Sequence, residues 1–363
     1  MRPLVDAGFW RGRVVLLTGH TGFKGAWLTL WLQSLGARVC GLADGLLFGP
    51  SLYELADVGD GVREFRADVR DHGAVLEVFA ASEPEIVFHL AAQAFVRRSF
   101  VDPRTTYETN VIGTVNVLEA VRATRSVRVL VNITSDKCYD NDPSGPARAF
   151  DEAGPMGGHD PYSSSKGCAE LVVAAYLHSF FAPGVALDVA RVGSARAGNV
   201  IGGGDWGEDR LIPDFMRGAL AGEPIAVRNP SAVRPWQHVL NPLSGYLRLA
   251  EALHDAREHQ GGWNFGPASD DARTVAWIAD RVSALWPGEL RWELDPGVHP
   301  PEAQFLALDS SKAREYLGWK PTWNLDQALD AVVTWYKALD EGQDMRAVTL
   351  EQINSFQAAG TLD

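Results

Sequence analysis

Three glycines spaced three apart, Gly19, Gly22 and Gly25, stand between a short apolar run and a longer one. The short run, residues 13–18, reads as a buried strand; residues 26–35 have the apolar content and length of a helix. Glycine here permits a tight turn and lets backbone N–H groups approach a pyrophosphate at the helix N-terminus. This strand–turn–helix spacing predicts a dinucleotide site near the start of the chain.

The alternation continues downstream. Residues 37–42 predict a second strand, 71–81 a helix, 86–90 a strand ending in Ala91-Ala92-Gln93, 105–123 a long amphipathic helix, 127–134 a further strand and 186–192 another. Strands and helices joined by short connections imply an α/β fold, a Rossmann-type doubly wound parallel sheet. Beyond Ser194 the pattern loosens into glycine- and proline-containing segments. The helix expected at 243–259 is placed to return to the first sheet, and 263–340 mixes short strands and helices.

The expected cofactor residues are Gly19, Gly22, Phe23, Lys24 and Gly25 in the turn, Leu90, Ala91 and Ala92 at a strand end, and Asp44, Asp68 and Val69. Asp44 lies about 20 residues past the fingerprint, where a carboxylate can hold a ribose 2′-OH. Lys24 and Arg38 can instead offset a 2′-phosphate; the balance favours NAD. Asp68 is placed near the adenine, with Val69 packing on it.

Tyr162 and Lys166 are four apart, hence on one helix face. A tyrosine with a reference pKa of about 10 is a poor base at neutral pH. A nearby ammonium and a nicotinamide cation both favour its ionised form. Ser135 closes an apolar strand and can hydrogen-bond the same sugar hydroxyl. Asp136 and Lys137 follow it at the end of a parallel strand, where open sheets bind ligands. They add an acid and a base that plain alcohol oxidation does not need, which points to elimination of water. Cys138 beside them reads as packing.

The formal net charge is −13 and no run of Lys or Arg occurs, which argues against nucleic acid and anionic membrane as partners. No signal core and no apolar stretch approaching a membrane span is visible, so a cytoplasmic location is expected. The 3 cysteines are scattered without a C-x-x-C, as suits a reducing compartment, and the 9 histidines lack metal-ligand spacing, so no metal is expected. Arg191, Arg196, Arg228 and Arg234 are the residues to weigh as phosphate holders; taken singly each reads as a structural or surface arginine except Arg234, which sits in the unusual run Arg-Pro-Trp-Gln-His-Val. Trp206 and Trp236 can border a base or a sugar.

These segments resemble the extended short-chain dehydrogenase/reductases that modify nucleotide sugars, and within them the CDP-glucose 4,6-dehydratases. The resemblance rests on HTGFKGAWL, HLAAQ, NITSDKCYDN, DPYSSSKGCAE, RAGNVIGGGDW, RPWQHV and WNFGP, and spans roughly Phe9 to Trp335. It implies a NAD-binding Rossmann domain over 1–192, with 235–262 returning to it. It implies a smaller mixed α/β domain, from 193–234 and 263–363, that binds the nucleotide sugar. It also implies a homodimer built on helices near 105–123 and 162–180. By the same carry-over Tyr162 takes the O4 proton, Lys166 supports it, Ser135 positions the hydroxyl and Asp136 protonates the departing O6. Asn199 and Arg234 hold the diphosphate, and Gln93, Arg210, Arg228 and His238 complete the substrate contacts. The implied reaction is C4 oxidation, loss of water across C5 and C6, and hydride return to C6. Its product, a 4-keto-6-deoxy sugar, is a precursor of deoxysugars in bacterial surface polysaccharides such as lipopolysaccharide O-antigen. Two departures stand out. Ser-Asp-Lys replaces the Thr-Asp-Glu of dTDP-glucose dehydratases, leaving Lys137 either as a base or as a stabiliser of the enolate. His299-Pro300-Pro301-Glu302 stands where related enzymes often carry Arg-Pro-Gly. The alternatives are another nucleotide-sugar 4,6-dehydratase or a 4-epimerase, which has no use for Asp136 and Lys137.

Overall fold

Successive side chains of a strand point to opposite faces of its sheet, and the first long strand of this chain shows the consequence. Val15 and Leu17 enter one apolar core while Leu16 enters another. A sheet buried on both faces needs helices on both. The computed structural model describes residues 2–46, 49–142, 148–182, 189–288, 290–297 and 306–362.

Seven parallel strands form the central sheet: β1 (Val14–Thr18), β2 (Arg38–Ala43), β3 (Arg63–Arg66), β4 (Ile86–His89), β5 (Val129–Ile133), β6 (Arg191–Arg196) and β7 (Gly261–Asn264). Their order is β7-β6-β5-β4-β1-β2-β3, a Rossmann-type doubly wound arrangement. The order reverses between β1 and β4. Ligands bind in such sheets at this crevice, outside the carboxyl ends of the strands.

One core holds α1 (Phe23–Ser34) and, from the C-terminal half, α6 (Leu240–Asp255), α7 (Leu325–Asp340) and α8 (Met345–Ala359). Trp10, Trp27, Trp31, Trp263, Trp319 and Trp335 are fully buried in it. The opposite core is covered by α2 (His72–Ser82), α3 (Gly113–Ala123) and α4 (Pro161–Phe180). A further helix, α5 (Leu211–Ala221), and short strand pairs such as 225–227 with 292–294 and 233–235 with 272–274 lie over the carboxyl ends of the sheet. No helix among the described residues is long and apolar enough to cross a membrane.

Several expected elements come out changed. The helix expected over 105–123 is broken: an α-helix at Pro103–Tyr107 passes through a π-helical turn, Glu108–Ile112, before α3. The cause lies at Asn110, whose carboxamide turns inward to Gln93 and Ser165. The strand expected over 186–192 is instead Arg191–Arg196, and residues 186–188 lie outside the described residues. Apolar content ends where the strand is only half built, because Ser194 and Arg196 are buried polar members of it. The charged edge strand β3 carries no apolar pattern; charges on an edge discourage pairing with other chains. The helix expected to return to the sheet does so: Leu249 and Leu253 of α6 sit so close to Gly193 of β6 that a Cβ there would approach them to 3.2 and 2.9 Å.

Candidate active site

A cleft of about 980 Å³ opens along the carboxyl ends of the strands. Its floor at one end is the glycine turn. Gly19 adopts a positive φ of 74°, and a Cβ on it would lie 2.8 Å from the Ala91 nitrogen. A Cβ on Gly25 would lie 2.2 Å from the Gly19 carbonyl oxygen. Neither position admits a side chain, because the turn presses against the end of β4 and α1 presses against the turn. Gly22 caps α1 without a side-chain hydrogen bond, so no side chain occupies the N–H groups of the helix's first turn. That cradle fits a phosphate pair. Asp44, Asp68, Val69, Leu90, Ala91 and Ala92 line the same end, together with Phe23 and Lys24. Asp68 is held by Arg70, whose guanidinium donates to the carboxylate in an ion pair and keeps its pKa below the usual range.

The middle of the cleft is built where β5 ends. Asp160 caps α4 by accepting the Ser163 N–H at 2.9 Å, and Pro161 fixes the first helical residue. This start sets Tyr162 and Lys166 one turn apart on the face toward β5. The Ser135 hydroxyl donates to Asp136 Oδ1 at 2.9 Å and accepts the Lys137 N–H at 3.3 Å. Tyr162 and Ser135 line the same stretch of the cleft. Tyr162, Lys166 and Asp136 are all buried. Burial pushes the Tyr162 phenol up to about 12, with the Asp136 charge acting the same way, while Ser135 and Arg210 oppose them. Burial pulls Lys166 down to about 8, against the pull of Glu170. Asp136 is walled in by backbone: a Cβ on Gly198 would lie 1.8 Å from its Oδ2. Cys138 is fully buried, and burial raises its thiol well above the ordinary value.

Lys24 joins these two regions. Its backbone belongs to the glycine turn, yet its ammonium lies 3.5 Å from the Tyr246 hydroxyl of α6. Burial and the nearby Arg210 pull it down to about 8, while Asp136 opposes them.

The other end of the cleft is made of side chains. Asn199 lines it in the left-handed region, φ 47°. Arg210 precedes α5, is held by Asp205 at 2.9 Å, and lies over the Phe95 ring at 4.9 Å. Arg228 and Arg97 share Asp209 at 3.2 and 3.1 Å. Arg234 lines the cleft and donates to the Val233 carbonyl at 3.0 Å. Trp206 and Trp236 line it too, and their buried indole N–H groups have no partner among the described residues.

Two expectations, His238 and Gln93, need correction. His238 does not reach the cleft. It is fully buried, edge-on to Trp27 and Trp323, and its Nδ1 accepts the Leu240 N–H at 3.3 Å at the start of α6. Burial holds its pKa down to about 3, so it is a neutral core residue. Arg191 and Arg196 serve the fold, not the cleft. Arg191 donates to the Leu253 and His254 carbonyls, where it satisfies the C-terminal end of α6, and Arg196 is sealed in an ion pair with Glu170 at 2.7 Å. Gln93 lines the cleft, but both its amide hydrogens are engaged, by the Phe95 carbonyl and the Thr106 hydroxyl. The segment 299–302 lies outside the described residues. Sequence reading missed Asn110, Gly198, Asp205 and Asp209. Only the Gly-Asp run at 204–205 and the Gly-Asn pair at 198–199 offered any signal, as turn residues.

Residues 16–332 match the GDP-mannose 4,6-dehydratase family. The chain belongs to that family. A relative from Salmonella typhimurium, a CDP-glucose 4,6-dehydratase, is 47% identical over 365 residues, 99% of this chain and 100% of that protein. A dTDP-glucose 4,6-dehydratase of Xanthomonas campestris is 28% identical, over 88% of this chain and 92% of its own. Among solved structures, the UDP-glucose 4-epimerase of Thermus thermophilus in complex with NAD superposes with a TM-score of 0.76 at 27% identity, covering 89% of this chain and 99% of that one. A dTDP-glucose 4,6-dehydratase of Bacillus anthracis in complex with NAD gives 0.74 at 23% identity, over 92% and 99%, a likeness of fold. The dehydratase family thus shares its doubly wound fold with epimerases, and the fold alone does not separate the two chemistries.

Proposed function

We propose that this chain is a CDP-glucose 4,6-dehydratase. It converts CDP-D-glucose to CDP-4-keto-6-deoxy-D-glucose and water. The observation that carries the reading is the placement of the Asp136 carboxylate 2.9 Å from the Ser135 hydroxyl, beside Tyr162. An oxidation site with a second, buried acid at its edge is equipped for elimination. The 47% identity to the Salmonella CDP-glucose 4,6-dehydratase supports both the reaction and the base.

Bound NAD would supply the acceptor for the C4 hydride and the donor for its return at C6. Gly19, Gly22, Phe23, Lys24 and Gly25 would hold its phosphates, Asp44 its adenosine ribose, Asp68 and Val69 its adenine, and Lys166 its nicotinamide ribose. Tyr162 receives the O4 proton of the sugar, aided by the positive field of Arg210, while Ser135 orients the hydroxyl. The C4 ketone acidifies the proton on C5. Asp136 delivers a proton to the leaving O6 as a base takes the C5 proton and gives it back to C5 when the hydride reaches C6; Lys137 is either that base or the stabiliser of the enolate. Arg234 and Asn199 hold the diphosphate. Arg210 and Arg228 flank it, and Trp206 and Trp236 border the base or sugar.

The cofactor falls to residues 1–192 with 235–262, and the nucleotide sugar to 193–234 and 263–363. A homodimer is supported by Tyr107, Ile112 and Leu171, which leave large apolar side chains exposed on the two stretches expected to pair, with Phe100 and Val101 exposed on the short helix just before the first of them. Three unpaired cysteines suit the cytoplasm, and the product suits deoxysugar biosynthesis. The test is to incubate purified protein with NAD and, separately, CDP-, dTDP-, UDP- and GDP-glucose, and weigh the products. Loss of one water from CDP-glucose alone is expected. Product from another nucleotide moves the substrate; epimer without loss of water sinks the dehydratase reading.

A further inference from the structure

Glu170 stands one turn beyond Lys166 on α4, buried, and outside the lining of the cleft. Its carboxylate gathers three donors from two strands. The Thr134 hydroxyl, at the end of β5, and the Ser194 hydroxyl of β6 both donate to Oε1, the latter at 2.7 Å. Arg196 of β6 donates to Oε2, also at 2.7 Å. Arg196 then donates to the Tyr139 hydroxyl at 2.6 Å, and that hydroxyl donates to Asn264 Oδ1 on β7 at 2.8 Å. The Asn264 amide continues to the carbonyls of Phe150 and Asp309 at 2.9 and 3.1 Å. One buried polar chain therefore crosses from α4 through β5, β6 and β7 to the segment at 309.

A buried ion pair is weak evidence for stability, because desolvation offsets most of its attraction. What such a network supplies is a single arrangement of the parts it joins. Here the parts are specific. Thr134 immediately precedes Ser135, and Glu170 lies on the helix that presents Tyr162 and Lys166.

We infer that Glu170 is a positioning residue: its carboxylate locks the register between the helix bearing Tyr162 and Lys166 and the strand end bearing Ser135, Asp136 and Lys137. This rests on the dehydratase reading for its readout. The carboxylate also acts on the charge of Lys166. The other groups that feel the charge of that ammonium are Cys138 on the turn after β5, Lys24 on α1 and His89 on β4, with Arg196 of β6 behind Glu170. Among the carboxylates, Glu170 is the one that raises the Lys166 pKa.

The test compares wild type with Thr134→Val, Glu170→Gln and the double variant Glu170→Gln with Arg196→Met, all with NAD and CDP-glucose. Thr134→Val removes one bond and keeps the ion pair; kcat is expected to fall about tenfold with KM unchanged, and Glu170→Gln to lower it about a hundredfold, as misplacement of reacting groups does. In Glu170→Gln the alkaline limb of kcat is expected to move down by about one pH unit, because a carboxylate no longer favours the ammonium. Should Glu170→Gln fail to fold, the double variant, with no unpaired buried charge, takes its place. Folded Thr134→Val and double variants with wild-type kcat and wild-type pH limb overturn the inference. A lowered melting temperature with unchanged kcat per folded molecule also overturns it, since that is what a purely structural pair gives. If wild type itself releases no water from CDP-glucose, it is the dehydratase reading that has failed.

Discussion

The two ends of the cleft are made of different material. At the glycine turn the surface is backbone: a helix start without a side-chain cap, and two glycines whose Cβ atoms would collide with carbonyl and amide groups. At the opposite end it is side chains held by other side chains, with Arg210 fixed by Asp205 and Arg228 and Arg97 sharing Asp209. Backbone recognises what every dinucleotide has in common, a pyrophosphate. Braced guanidinium groups recognise a particular placement of charge, and a change of partner re-aims them. The first end therefore suits a cofactor common to a whole fold, and the second suits a substrate that varies among relatives of that fold.

Four substitutions test this division. Tyr162→Phe carries the largest effect. Loss of the proton acceptor is expected to lower kcat by about a thousandfold or more, while NAD titration gives the wild-type affinity. Weakened NAD binding would instead give the Tyr162 hydroxyl a share in holding the cofactor. Asp136→Asn is expected to slow elimination about a hundredfold yet leave C4 oxidation in place, so that single-turnover absorbance records NADH that persists. If oxidation and elimination fall together with normal binding, Asp136 is not a dedicated dehydration acid. Arg234→Met is expected to raise KM about tenfold, the loss of one charged hydrogen bond to phosphate, with kcat within about twofold. An equal loss in kcat would place Arg234 at the reacting sugar. His238→Ala has the smallest effect on activity: KM stays at the wild-type value, while the melting temperature falls because a cavity opens between Trp27 and Trp323. A raised KM there would return His238 to the substrate end.

The same division explains what was legible in the sequence. The glycine turn, the strand before it and the helix after it are local, and their spacing alone places Gly19, Gly22 and Gly25. Tyr162 and Lys166 are legible for the same reason, being one turn apart on one helix. Ser135, Asp136 and Lys137 follow from standing at a strand end. The side-chain end gave much less. Arg210 and Asp205 are near in sequence, but what braces Arg228 is Asp209, and nothing in a one-dimensional pattern says which of several arginines faces inward. Arg191 and Arg196 look like Arg228 until the sheet is assembled; one then satisfies a helix end and the other is entombed. His238 misled because a polar residue inside a conspicuous motif invites a chemical role, whereas the tryptophans around it make it core. The break in the helix at Glu108–Ile112 was invisible since Asn110 bends the chain through partners, Gln93 and Ser165, that are distant in sequence.

Gly198 leaves a last consequence. The wall behind Asp136 is an absent side chain on the segment after β6, whereas the acid itself follows β5. On the proposed reading, the dehydrating group is thus not a portable cassette of three residues. Writing Ser-Asp-Lys into the corresponding turn of an epimerase scaffold would transplant the acid without the hollow that receives it, and any methyl at the facing position would evict the carboxylate. A conversion of one chemistry into the other has to carry both strand ends at once.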